Sequence, residues 1–141
     1  MKKILIFTLM ISLIFTSYIK AQDTNNIETG KIYFLRSTGF AGSASAFKTF
    51  IDGQFVCKLN NKKYSIHEVP VGKHECSVQF GGKKSKERSE KFEVNVESGK
   101  NTYVQIVFET GAFINNTYCE EVTENTATIK MENMEEDTKC L

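Results

Sequence analysis

The sequence predicts an all-β domain: a single antiparallel β-sandwich of seven or eight strands, Ig-like or prealbumin-like, after an N-terminal signal peptide. Three observations carry that prediction. Residues 31–122 form a series of short alternating apolar segments, the period of half-buried strands. Turn residues separate them at Asp52-Gly53, Pro70-Val71-Gly72 and Glu97-Ser98-Gly99. A single proline and the absence of any long helical repeat leave the sandwich as the architecture that uses such a pattern.

The elements follow in order. Lys2 and Lys3 precede an apolar run from Ile4 to Ile19 that ends at Lys20, Ala21 and Gln22, the composition of a secretory leader cleaved after Ala21. The run is shorter than the roughly 20 residues a bilayer span needs, so residues 1–21 are expected to leave no stable membrane span after cleavage. Residues 22–30 are polar and read as a flexible lead-in, 31–122 as the sandwich, and 123–141 as an acidic C-terminal tail. In the first strand Ile32 and Phe34 alternate with Tyr33 and Leu35. Phe47, Phe50 and Ile51, then Asp52-Gly53, then Phe55, Val56, Cys57 and Leu59 spell a hairpin, with apolar residues on both faces. A three-residue loop at 70–72 sets Ile66 opposite Cys76 and Tyr64 opposite Val78, so that apolar faces agree. The same rule at 97–99 pairs Val94 with Thr102 and Phe92 with Val104. Residues 101–108 are the longest β-branched strand, Gly111 breaks it, and 117–122 adds a last strand. Beyond Thr123, Ile129, Met131 and Met134 fit neither period. A short helix and a strand with a ragged tail are equally compatible with them.

Of the chain's 18 basic residues, Lys2, Lys3 and Lys20 leave with the leader, so 15 face 17 acidic ones and the formal charge is about −2. That balance argues against nucleic-acid binding, which needs a basic stripe. Charge is uneven, however: Lys83, Lys84, Lys86 and Arg88 cluster, while Glu120, Glu121, Glu124, Glu132, Glu135, Glu136 and Asp137 make the C-terminal end acidic. The basic cluster is either a solvated hairpin loop or a contact for anionic envelope glycans or lipid headgroups. Four cysteines remain, Cys57, Cys76, Cys119 and Cys140, an even count that permits a disulfide framework with three connectivities. No CxxC spacing supports a zinc ribbon or a thioredoxin-like motif. Cys57 and Cys76 sit in apolar runs and suit small buried hydrophobes. Cys119 and Cys140 flank the tail, and a bond between them would staple it to the last strand, contributing about 3 kcal/mol.

For chemistry, the register above turns His67 to the polar face and His74 to the Ile66 and Cys76 side, opposite Glu68. The two histidines therefore do not converge on a metal, and His74 with Glu68 reads as a rim pair. A site on His74 and Cys76 would need a donor from another strand, with Cys57 the obvious one. No GxSxG elbow or triad spacing occurs, and Gly81-Gly82 runs into charged residues rather than a helix. No enzyme, cofactor or metal is expected. The 37–45 loop differs in kind, because it sets Phe40 among small residues, with Gly39 and Gly42 beside it and Arg36 at its mouth. Phe40 either plugs one end of the sandwich or stands out with Arg36 to stack on a sugar or anchor a partner. Residues 111–114 contribute to the same or the opposite end.

Ile32-Tyr33-Phe34-Leu35-Arg36, Phe40-Ala41-Gly42, Ile51-Asp52-Gly53, Val69-Pro70-Val71-Gly72-Lys73-His74 and Ser98-Gly99-Lys100 carry a resemblance. On these motifs the chain, from residue 31 to about 122, resembles the PEGA-type envelope domains and a related bacterial family of exported domains of unknown function. The resemblance implies a small β-sandwich, often a lipoprotein or surface-associated module, with no catalytic residues. This chain lacks the lipidation cysteine of the lipoprotein members, and its leader is similar to those of Gram-negative bacteria. It implies a protein of the periplasm, cell surface or medium: a non-catalytic envelope module that binds a protein or has a structural role. The alternative is a glycan or small-ligand binder using the 37–45 loop and the basic 83–88 loop.

Overall fold

A computed structural model describes residues 27–40, 42–80, 83–84, 92–111 and 115–140. The expected leader and residues 22–26 lie outside the described residues. The strands are β1 (Thr29–Arg36), β2 (Phe47–Ile51), β3 (Gln54–Leu59), β4 (Lys63–Pro70), β5 (Gly72–Phe80), β6 (Lys83–Lys84), β7 (Phe92–Val96), β8 (Asn101–Thr110), β9 (Asn115–Val122) and β10 (Glu135–Glu136), with one helix, α1 (Glu124–Met131). They form two sheets. One runs β10-β4-β1-β8-β9; the other runs β3-β2-β5-β6, with β7 also on β5. Among the described residues no helix is long and apolar enough to cross a membrane.

The sandwich is mixed rather than wholly antiparallel. β1 pairs antiparallel with β4 but parallel with β8, and β10 lies parallel to β4. The Asp52-Gly53 hairpin is as expected. Ile51 pairs with Gln54, and Asp52 (φ 51°) and Gly53 (φ 75°) are both left-handed, the type I′ geometry that matches strand twist. The other two expected hairpins are crossings. β4 belongs to the first sheet and β5 to the second, while β7 lies in the second and β8 in the first. Matching apolar faces are demanded equally of strands side by side and of strands joined over the rim of a sandwich, so the pattern was right and the pairing was not. Both crossings are tied to the start of β1: Val71 N–H donates to Glu28 O (2.9 Å) and Gly99 N–H to Thr29 O (2.8 Å).

Between the sheets lie Ile32, Phe34, Phe47, Ile51, Leu59, Val78, Val94, Val96, Val104 and Ile106, with Cys57, Cys76 and Cys119 among them. Each fully buried large aliphatic or aromatic residue stabilises the fold by about 1.5–3 kcal/mol. A second, smaller cluster covers the outer face of the first sheet, where Leu35, Tyr103 and Ala127 are buried with Tyr33, Tyr64, Val122, Met131 and Met134 against them. This accounts for the two apolar faces of β1: Ile32 and Phe34 turn to the core, Tyr33 and Leu35 to α1. Thr123 caps that helix by accepting from Thr126 N–H, with Glu124 in its first turn and Lys130 in its last, the favourable ends of the helix dipole.

The C-terminal segment is therefore ordered against the sandwich. After α1 it runs along β4, where Asp137 N–H donates to Tyr64 O (2.8 Å) and Glu135 pairs with Lys63 (2.8 Å). It ends at a disulfide between Cys140 and Cys57. The expected Cys119–Cys140 bond is corrected by this geometry. β9, which carries Cys119, and β10, which leads to Cys140, are at opposite edges of the first sheet. Cys57 on β3 lies across the gap beside β4, its Cα 4.3 Å from that of Cys140. Cys119 and Cys76 are free and buried.

Candidate functional site

One end of the sandwich is built around Arg36. Periodicity on β1 places this side chain on the same face as Ile32 and Phe34, and it is fully buried, with 0% exposure. The expected surface guanidinium is thus a core group. Its Nη1 donates to Leu59 O (2.6 Å) at the end of β3, and its Nη2 to Gly42 O (2.7 Å) in the 37–46 loop. The guanidinium carbon lies 3.8 Å from the centre of the Phe47 ring, a cation–π contact strengthened by desolvation. No carboxylate pairs with it among the described residues, and its Nε has no partner there. Burial pushes its pKa down to about 10, so it stays charged at neutral pH. A buried cation compensated by two carbonyls and a ring is costly to assemble. What it achieves is positional, because it ties β1, β3 and the loop to one point.

The loop is braced from a second side. Asn61 Oδ1 accepts from Thr38 N–H (2.9 Å), and Asn61 Nδ2 donates to Gly39 O (3.0 Å). Ser43 N–H closes onto Phe40 O (3.2 Å). Gly42 is left-handed (φ +73°), and a Cβ there would stand 3.2 Å from the Phe108 ring, so the position takes glycine on both counts. At the tip, Phe40 is 98% exposed. It does not plug the sandwich. Phe47, Phe80 and Phe108 fill that end instead, with ring centres 4.6–5.6 Å apart.

The second feature is a cleft of about 460 Å³ along the open side between β3 and β4, lined by Asp52, Val56, Ile66, His67, Val69 and His74 among others. His74 Nδ1 is 2.7 Å from Asp52 Oδ2, and its Nε2 is 2.8 Å from Pro70 O. Both neighbours are acceptors, so only the imidazolium satisfies both. Burial pulls the His74 pKa down, but the Asp52 hydrogen bond, the Pro70 carbonyl and the Asp52 charge outweigh it and hold it above its ordinary value. Burial likewise acts to raise Asp52, yet the Glu75 N–H and His74 keep it below its ordinary value. This clasp joins the β2–β3 turn to the 70–72 crossing. Its acid is Asp52, not the expected Glu68, which accepts instead from Thr29 Oγ1 (2.6 Å).

His67 also departs from expectation. It is half-buried rather than on a polar face, edge-on to Phe34 (5.8 Å), with Nε2 2.9 Å from Ser65 Oγ. Burial lowers its pKa. Ser65 beside it is fully buried, so this Ser–His contact offers no nucleophile to a substrate. The free thiols are no better placed, since burial pushes Cys76 up to about 12 and Cys119 higher still. Lys83 and Lys84 form β6, paired with Phe80 and Gln79. Lys86 and Arg88 lie outside the described residues, as do residues 112–114. Of the expected binding residues, the structure brings Arg36 and Gly42 together as a support and Phe40 as the group supported. Sequence reasoning missed Asn61, whose signal was a short polar Asn60-Asn61 turn, and Asp52, which it read only as a turn residue.

These features define a mixed β-sandwich with a braced loop at one end and a clasped corner beside an open cleft. The chain belongs to the family described as protein of unknown function DUF2846, whose profile matches residues 26–118. The match covers β1 to β8 and stops short of Cys119, so α1, β10 and Cys140 lie beyond it. No curated protein matches the chain.

Proposed function

We propose that this protein is an exported, non-catalytic module of the bacterial cell envelope that docks a partner protein through the 37–46 loop, with Phe40 as the anchor. The observation that carries the reading is an almost fully exposed Phe40 on a loop fixed by Arg36 and Asn61. A large aromatic carried on a braced backbone has only its own two side-chain torsions to order on binding, and such residues dominate interface energetics. The Cys57–Cys140 disulfide supports an oxidising compartment, and the likeness to PEGA-type domains supports the envelope. Glycan binding is less favoured, because the guanidinium that would accompany Phe40 is buried.

A photo-crosslinking residue placed at the exposed position 44 of the same loop tests this in the native envelope. The expected result is one discrete protein adduct, lost in Phe40→Ala while the circular dichroism and melting temperature of that variant match wild type. An adduct unchanged by Phe40→Ala refutes the docking role. Retention of the purified domain on insoluble cell-wall polysaccharide, abolished in Phe40→Ala, transfers the site to the glycan reading.

A further inference from the structure

Three potential metal ligands meet at His67, one of the residues lining the cleft. Cys57 Sγ, Cys140 Sγ and a ring nitrogen of His67 all lie within 4.8 Å of one another. We propose that Cys57, His67 and Cys140 form a thiol-gated site for a thiophilic d10 ion, Zn²⁺ or Cu⁺, which opens when the Cys57–Cys140 bond is reduced.

The geometry suits such an ion. Metal–sulfur and metal–nitrogen bonds of about 2.0–2.3 Å place tetrahedral ligands roughly 3.3–3.8 Å apart. The two sulfurs must therefore move apart once their bond is broken, and the imidazole nitrogen, within 4.8 Å of them, must close by no more than about 1.5 Å. They come from three separate segments. Cys57 is buried on β3, His67 is on β4, and Cys140 ends the segment after β10, so the first two are fixed in the sheets and the third is the adjustable arm. Ser65 Oγ holds the His67 ring through Nε2, the kind of second partner that orients a ligating imidazole, and Nδ1 has no partner among the described residues. His67 also lines the cleft, which supplies an approach from solvent and room for a fourth, exchangeable ligand. Two thiolates and an imidazole select thiophilic ions over Mg²⁺ or Ca²⁺.

The oxidised protein cannot bind in this way, because both sulfurs are spent in their mutual bond. A dithiol reductant opens it: the dithiol gives two electrons and two protons, leaving two cysteine thiols, and itself closes to a cyclic disulfide. The ion then takes both thiolates and the neutral imidazole, and the two thiol protons go to solvent. In that state the ion bridges β3, β4 and the C-terminal segment, replacing the covalent staple.

The test uses the full mature chain, reduced with a dithiol under exclusion of oxygen, freed of reductant and titrated with Zn²⁺ or with Cu⁺ against a chromophoric chelator. Expected is one ion per reduced chain and none retained by the oxidised chain, with the tighter of the two arms identifying the ion. Loss of a ligand weakens retention at least tenfold in His67→Gln and more in Cys140→Ser. Co²⁺ as a reporter gives sulfur-to-metal charge-transfer absorption in wild type that Cys140→Ser lacks. His67→Gln keeps the disulfide, so its fold can be checked by circular dichroism before reduction even if Cys140→Ser fails to fold. Equal retention by the oxidised chain, unchanged affinity in His67→Gln, or no retention by the reduced chain, folded or not, overturns the proposal.

Discussion

Replacing both bonded cysteines, Cys57→Ala with Cys140→Ala, removes the one covalent tie between β3 and the C-terminal segment. The residues are 83 apart in sequence, and the chain-entropy account of a crosslink gives a loop of that length about 4.5 kcal/mol at 25 °C. Against a total stability of about 5–15 kcal/mol for a domain of this size, that is a large share. With a urea m-value of about 1.5 kcal/mol/M, the midpoint should fall by about 3 M. The chain has no tryptophan, so far-UV circular dichroism is the appropriate probe of an equilibrium urea titration. Cys119→Ala is the control: it leaves the bond intact and removes one buried sulfur, costing about 1 kcal/mol. A double variant whose midpoint stays within 0.5 M of wild type, or a Cys119→Ala variant that falls as far as the double one, would refute the assigned connectivity and the argument from loop length together.

Further outcomes follow from the described contacts. Arg36→Met keeps the apolar stem but removes the guanidinium's bonds to Leu59 O, which is buried, and to Gly42 O, which keeps only the longer bond from Ser45 N–H (3.4 Å). Partly offset by no longer burying a charge, this costs about 2 kcal/mol, read as a lowered urea midpoint. The His74–Asp52 clasp is complete only while both groups are charged. The raised His74 pKa means its contribution is full below about pH 6.5 and lost as pH rises through the folded value, and the lowered Asp52 pKa means loss as pH falls through its own. The melting-temperature advantage of wild type over His74→Gln should therefore be greatest near pH 5.5 and shrink by pH 9. Its size is about 0.5–1 kcal/mol, because Asp52 is half-exposed. Ala127→Asp puts a charge under α1 against Leu35 and Tyr103 and should cost about 3 kcal/mol, visible as a lowered thermal midpoint.

Much of the strand layout was legible because burial imposes a period of two whatever the pairing. The Asp52-Gly53 turn was legible to the residue, since its left-handed pair admits few sequences. Pairing partners were not legible. Residues 70–72 and 97–99 carry turn chemistry that serves a rim crossing as well as a hairpin, and only the claims of β2 and β7 on β5, and of β1 on β4, decide between them. That misreading sent His67 outward and gave His74 the wrong acid. Arg36 was read as a surface group because arginine usually is one, although it shares the parity of Ile32 and Phe34 on β1. The disulfide escaped because it depends on where α1 and β10 carry the tail, and α1 is held by a few contacts rather than by a strong helical repeat of its own.

The placement of β1 has a consequence for how the chain can be shortened. β1, the first strand among the described residues, lies at the centre of its sheet, with one edge on β4 and the other on β8. Any truncation ahead of β8 leaves this strand with a bare row of amides and carbonyls, a template for other copies of itself. Its satisfaction waits on a late, sequence-distant match, the kind of topology that folds slowly. Fragments ending before residue 101 are thus expected to be insoluble, whatever core they retain.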